Sequence, residues 1–166
     1  ENWDRVAESI KLSIDFLSEN LGVKIYDFIP YPAMIPLLAY LYFKIPKRAL
    51  NKTMADKIHE WFWKAALGER YGTSRDTRME EDRRLVFDRL LEDQKPVLDY
   101  PLYLDVERIE KHKLGTKSAL RNAFFCLLAR RGPRHFKTDS LIALNNTICS
   151  EYNNSEKHHL FPKAYL

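Results

Sequence analysis

The sequence predicts a mainly α-helical protein: a multi-helix, bundle-like domain followed by a shorter region of different texture. Three observations carry this. Apolar residues recur at steps of three and four through most of the chain before Gly132, the spacing of one helix face. The periodic stretches are closed by glycine or proline, at Gly22, Pro46 and Gly132-Pro133, where a helix can end without strain or can no longer continue. Beyond Phe136 the apolar runs shorten and Asn145, Asn146, Asn153 and Asn154 appear.

The first helix rests on Trp3, Val6, Ala7, Ile10, Ile14, Leu17 and Leu21, a single apolar stripe expected to face the core, with Gly22 as its stop. Phe28 to Phe43 carries no charge. It is too short to cross a bilayer and is interrupted by Pro30, Pro32 and Pro36. It therefore reads as a Pro-rich turn leading into a buried helix from about Ala33 to Lys44. Thr53, with Asp56 three residues on, is the expected N-cap of the next helix. There Met54, Ile58, Trp61, Phe62 and Ala65 share a stripe and Trp63 faces elsewhere, as in a helix buried between neighbours.

Gly68 to Arg78 reads as a loop, and Glu80, Glu81 and Asp82 as the acidic first turn of a helix reaching about Glu92. Lys95 to Tyr103, with Pro96 and Pro101, is extended, and a short helix is expected around Val106 to Lys111. Leu120, Ala123, Phe124, Leu127 and Leu128 then form the cleanest amphipathic stripe of the chain. A domain boundary is placed near Gly132, giving a helical domain over 1–132 and a second region, opening with a small hairpin, over 133–166.

The 166 residues suffice for one domain with a real core. A net charge of +4 is compatible with nucleic acid without requiring it. Cys126 and Cys149 form no pattern; Cys126 lies in an apolar helical run and reads as a buried thiol, which fits a reducing cytoplasm. No paired-cysteine spacing is present, so no structural zinc is expected, and no signal peptide can be read.

The most specific chemistry lies in Glu156-Lys157-His158-His159-Leu160-Phe161-Pro162-Lys163-Ala164-Tyr165-Leu166. Phosphodiester hydrolysis needs a group that takes a proton from water, which a neutral imidazole can do near neutral pH. It also needs a cation to offset the charge that gathers on the phosphate oxygens. Successive residues on a strand point to opposite faces. His158 and His159 can thus serve one site only where the backbone turns or bulges.

This tail resembles the first half of an HNH (His-Me finger) nuclease site. The run His-His-apolar-Phe-Pro-Lys matches the start of the HNH domain of GmrSD-type modification-dependent restriction endonucleases at almost every position. The likeness extends upstream. Phe28-Ile-Pro-Tyr-Pro-Ala-Met-Ile-Pro-Leu-Leu-Ala-Tyr is similar to the family's segment leading into a buried helix. Trp61-Phe62-Trp63-Lys64 with Gly68-Glu69-Arg70-Tyr71-Gly72 is similar to its tryptophan-rich helix and Arg-Tyr turn. Ala119 to Arg134 is similar to the helix that leads into the nuclease domain.

The resemblance implies a metal-dependent DNA endonuclease of a restriction or antiviral defence system, acting on modified or foreign DNA. His159 would be the general base and His158 a ligand of magnesium or manganese, with 133–166 holding the first strands of a ββα unit. The helix that completes the metal site would lie beyond Leu166. The Asp-Gly-Gln and downstream Arg that mark the family's N-terminal nucleotide-hydrolysing domain do not occur here. That domain, a partner of the helical region in the family, would be absent, and the 166 residues alone would be inactive.

Arg130, Arg131, Arg134 and Lys137 cluster before the nuclease-like portion, and Lys163 follows the motif. They suit DNA phosphates; the first of them equally suit a solvated helix C-terminus. Glu69, Arg70 and Tyr71 read as a structural ion-paired turn, Glu80 to Asp82 as a solvated helix start rather than a metal cluster, and Trp61 and Trp63 as core rather than base-stacking residues. Two other functions stay open: a non-catalytic helical interaction module, and a DNA-binding module whose histidines are incidental.

Overall fold

The computed structural model describes residues 2–45, 49–100, 102, 107, 118–135, 137–142 and 144. Among them are five helical rods: α1 (Asn2–Asn20), α2 (Met34–Lys44), α3 (Lys52–Leu67), α4 (Arg75–Asp82) and α5 (Ala119–Arg130). A 3-10 turn, Tyr26–Phe28, links α1 to α2. α4 runs on through a π-helical stretch, Arg83–Asp88, and one last turn, Arg89–Leu91. No strand occurs among the described residues; an isolated antiparallel bridge joins Arg134 to Leu141. That bridge lies where the sequence places a small hairpin. The first strands of a nuclease unit, expected within 133–166, do not occur among the described residues of that stretch, and 145–166 lie outside the described residues.

α3 is the axis of the core. Ile58, Trp61, Phe62, Ala65 and Ala66 are all fully buried, and the Trp61 ring meets Phe87 edge-on at 4.9 Å. Around it gather Leu17 and Leu21 from the end of α1, Met34, Leu38 and Leu41 from α2, Val86 and Phe87 from the π-helical stretch, and Ala123 and Cys126 from α5. The N-cap of α3 is Asn51, whose side chain accepts from the Met54 N–H at 2.8 Å. Thr53 is already the second residue of the helix, past the flanking position from which a side chain caps, and Asn51 holds that position.

α4 starts at Arg75, earlier than the acidic group that was expected to open it. Ser74, in the left-handed region at φ 48°, ends the preceding loop. Glu80 to Asp82 therefore sit at the end of α4, and Asp82 is buried rather than solvated. The wider turn of the π-helix follows at once and still delivers Val86 and Phe87 to the core.

Two apolar stripes face differently from expectation. In α1 the buried positions are Ser9, Ser13, Phe16 and Leu17, while Trp3, Val6, Ile10 and Ile14 are exposed. α1 packs along α2, and the serines let the two helices approach closely. Each hydroxyl is satisfied inside the helix, Ser9 Oγ donating to Arg5 O and Ser13 Oγ to Ser9 O, both at 2.7 Å. In α5 the buried residues are Ala119, Leu120, Ala123, Cys126 and Ala129, and the larger Phe124, Leu127 and Leu128 lie outside. Small side chains again make the contact face.

No helix among the described residues is long and apolar enough to cross a membrane. Buried Cys126 has its thiol pushed up to about 12 by burial, and its Sγ lies 3.2 Å from Phe28 O. No described residue after Ala129 is buried. A chain ending at Arg134 is accordingly expected to keep a cooperative thermal transition, since its buried area, at roughly 25 cal/mol per Å², is retained. A broad, non-cooperative melt of that shortened chain, followed by circular dichroism, would overturn the proposed boundary.

Candidate functional site

Two polar assemblies are candidates, and they differ in kind. The first surrounds Asp82, which is 1% exposed. Its Oδ2 accepts from Trp61 Nε1 at 2.9 Å and from the Tyr71 hydroxyl. Its Oδ1 accepts from Arg70 Nε at 3.0 Å and Nη2 at 2.7 Å. Arg70 also donates to Glu81 at 2.9 Å, and Glu81 takes a further bond from Arg78 at 2.8 Å. The Tyr100 ring lies over the Arg70 guanidinium, 4.1 Å from its centroid.

Burial, then the charge and hydrogen bond of Asp82, push the Tyr71 phenol far above its usual range, so it remains a donor. Every oxygen of the buried carboxylate is occupied by protein donors. Such a cluster ties the turn after α3 to α4 and leaves no atom for a substrate. The ion-paired turn expected at Glu69 to Tyr71 is thus present through Arg70. The burial of Asp82 was not foreseen, and the one hint was that a buried Trp61 needs an acceptor.

The second assembly is the basic end of α5. Arg130, Arg131, Arg134 and Lys137 are all exposed. Arg130 lies over the Trp63 ring at 5.9 Å. Arg134 is held by Asp139, Nη1 donating to the backbone carbonyl at 2.6 Å and to Oδ2 at 3.1 Å. The turn is closed by His135 N–H to Ser140 O at 2.9 Å and Ile142 N–H to Pro133 O at 2.9 Å. The structure therefore brings four cations to one exposed end of the helical body, one of them neutralised by a carboxylate.

Next to Arg130 lies a polar cavity of about 360 Å³, bordered by Glu19, Asn20, Gly22, Lys24, His59 and Arg130. It forms where the C-termini of α1 and α5 converge, and Lys24 and Arg130 complement the negative ends of those helices. Sequence reading did not find it, because Lys24, His59 and Arg130 come together only through tertiary packing.

His59, edge-on to Phe16 at 5.9 Å, is pushed below its usual value of 6.5 by burial and by the Arg130 charge, against an opposing pull from Asp56. In the unfolded chain His59 takes up a proton more readily than in the fold, so its contribution to stability is full above 6.5 and is lost as pH falls from there through the lower value it has in the fold. Arg130→Ala is expected to raise the His59 titration midpoint, measured by proton NMR of the imidazole. An unchanged midpoint would mean that Arg130 does not bear on this ring.

His158, His159 and Lys163 lie outside the described residues. Among the described residues, no group of three or more His, Cys, Asp or Glu could hold a metal ion.

No family model matches the chain, and no solved structure matches it. An uncharacterized protein of Methanocaldococcus jannaschii is 24% identical over 181 aligned positions, which cover 100% of this chain and 28% of that protein. The chain spans 28% of the length of the curated relative it matches.

Proposed function

We propose that the chain is part of a metal-dependent DNA endonuclease of the kind its tail resembles, with the helical body as scaffold. The observation that carries this reading is the run His158-His159-Leu160-Phe161-Pro162-Lys163. His159 takes the proton of the attacking water, and His158 contributes one ligand to magnesium or manganese, hard cations that accept oxygen-rich sites. The ion, when bound, would offset the charge that gathers on the phosphate.

The exposed cations Arg130, Arg131 and Lys137, with Lys163, contact the DNA backbone rather than base edges. Binding by this chain is therefore weak, salt-dependent and indifferent to sequence. A mainly helical body whose α5 ends in exposed arginines where the nuclease-like region 133–166 begins suits this arrangement.

The test is nicking of supercoiled plasmid with magnesium or manganese, by a polypeptide extended past Leu166 through the helix that would complete the site. Activity is expected there and not in the 166-residue chain. His159→Ala should reduce it by roughly 10²- to 10⁴-fold, the range of a general base. A His159→Ala variant that cuts as fast as its parent would exclude the nuclease reading and leave the helical interaction module in its place.

A further inference from the structure

Three nitrogen-bearing side chains from three separate elements border the polar cavity of about 360 Å³: Lys24 from the turn after α1, His59 from α3 and Arg130 from the last residue of α5. That volume far exceeds the ~30 Å³ share of one water. Gly22 makes room for the meeting. A Cβ there would lie 2.9 Å from Arg130 Cγ, so the arginine stem passes over the end of α1. Its guanidinium lies 5.9 Å from the Trp63 ring centroid, whereas Arg134, four residues on, is held by Asp139. The late carbonyls of both helices have other donors. Leu17 O accepts from Val23 N–H at 3.1 Å and Phe16 O from Asn20 Nδ2 at 3.3 Å. Leu128 O and Ala129 O accept from the N–H groups of Arg131 and Gly132, at 3.0 and 3.2 Å. Glu19, also on the rim, exerts its charge on the Tyr42 hydroxyl.

We propose that this cavity binds a phosphate group. Arg130 offers a planar fork that two phosphate oxygens can meet at once, and Lys24 a compact positive charge. His59 supplies a third donor. Its imidazole is held below 6.5 by burial and by Arg130, against the pull of Asp56, and an anion between the two groups draws a proton onto it. Binding and protonation are thereby linked: phosphate raises the His59 value, and a lower pH strengthens binding. The site is built only from the helical body and holds whether or not the tail hydrolyses DNA. A free phosphate, a terminal phosphate and a nucleic-acid backbone all present the group it recognises.

Proton NMR of the His59 imidazole in the 166-residue protein tests this, with inorganic phosphate or sulfate titrated against chloride at equal ionic strength. The signal is identified by its loss in His59→Gln. Its titration midpoint should rise by about one unit, the effect of an adjacent opposite charge, with phosphate and sulfate and not with chloride. Lys24→Gln and Arg130→Gln should each weaken phosphate binding by about 10-fold, the loss of one charge-assisted hydrogen bond. Both side chains are exposed, so circular dichroism of these variants should match the parent.

Arg131→Gln, next to Arg130 but not bordering the cavity, should bind phosphate as the parent does. A short oligonucleotide that shifts His59 at lower concentration when it carries a 5′-phosphate would identify a terminal phosphate as the occupant. Equal effects with and without that phosphate identify the backbone, and no effect of either identifies free phosphate. The proposal is overturned by a His59 midpoint that phosphate does not move, by chloride acting as phosphate does, or by an Arg131→Gln variant that loses as much binding as Arg130→Gln.

Discussion

Asp82→Ala is expected to destabilise the fold by about 3–5 kcal/mol, the range for breaking a buried ion pair by removing one partner. The reason is what stays behind. The Arg70 side chain is only 9% exposed and would lose both of its bonds to the carboxylate. Trp61 Nε1 would keep only its 3.2 Å contact to the Tyr71 hydroxyl, and that hydroxyl would lose its own acceptor. Uncompensated buried donors are costlier than the net value of the bonds they once made. The effect should appear as a lower urea midpoint with an unchanged slope.

Arg70→Ala should destabilise less, since its neighbours Glu81 and Arg78 retain each other. The double variant should fall short of the sum of the two, because both act on one network. A shift for Asp82→Ala below about 1 kcal/mol, the size of an ordinary surface hydrogen bond, would show that the cluster does not hold α4 against α3.

Gly22→Ala is the second large effect, expected at about 2–5 kcal/mol from left-handed strain together with overpacking. Gly22 sits at φ 78°, and a Cβ there would lie 2.2 Å from the backbone carbonyl oxygen of Cys126 and 2.9 Å from Arg130 Cγ. The arginine can swing away. The carbonyl belongs to α5 and cannot move without shifting the helix off the end of α1. Gly132→Ala is the informative contrast. Its φ is 64°, but the nearest atom to an added Cβ is Leu141 Cδ2 at 3.3 Å, the tip of an exposed side chain. That variant should lose only the strain of one left-handed residue, about 1 kcal/mol. Equal losses for the two glycines, measured by chemical denaturation, would show that close approach of α1 to α5 is not what Gly22 provides.

Most helices were legible because periodicity and punctuation are local. The stripe Ile58, Trp61, Phe62 and Ala65 is buried as its spacing implies, α2 lies within a residue of its expected bounds, and Gly22 follows α1 with a positive φ. Cys126 is the buried thiol that its apolar surroundings indicated. The basic cluster at Arg130, Arg131, Arg134 and Lys137 could be read as a cluster because its members are neighbours in sequence. Its continuation into the cavity at Lys24 and His59 could not, since those residues reach Arg130 only when α1, α3 and α5 pack.

The amino-acid order by itself determined where most of the described helices form and stop, and it alone carries the nuclease-like tail. It did so because helix propensity, capping and the 3.6-residue repeat act within a few residues of chain. Only the tertiary structure decided which side of each helix turned inward. In α1 and α5 the smaller side chains won the contact face over the larger apolar stripe, because close approach to the neighbouring helix rewards dense packing more than hydrophobicity alone. It also decided that Asp82, one of three consecutive acids, would be buried. That choice depended on Trp61, Arg70 and Tyr71 arriving from α3 and the turn after it with donors for both oxygens, a condition that no local pattern around Asp82 records.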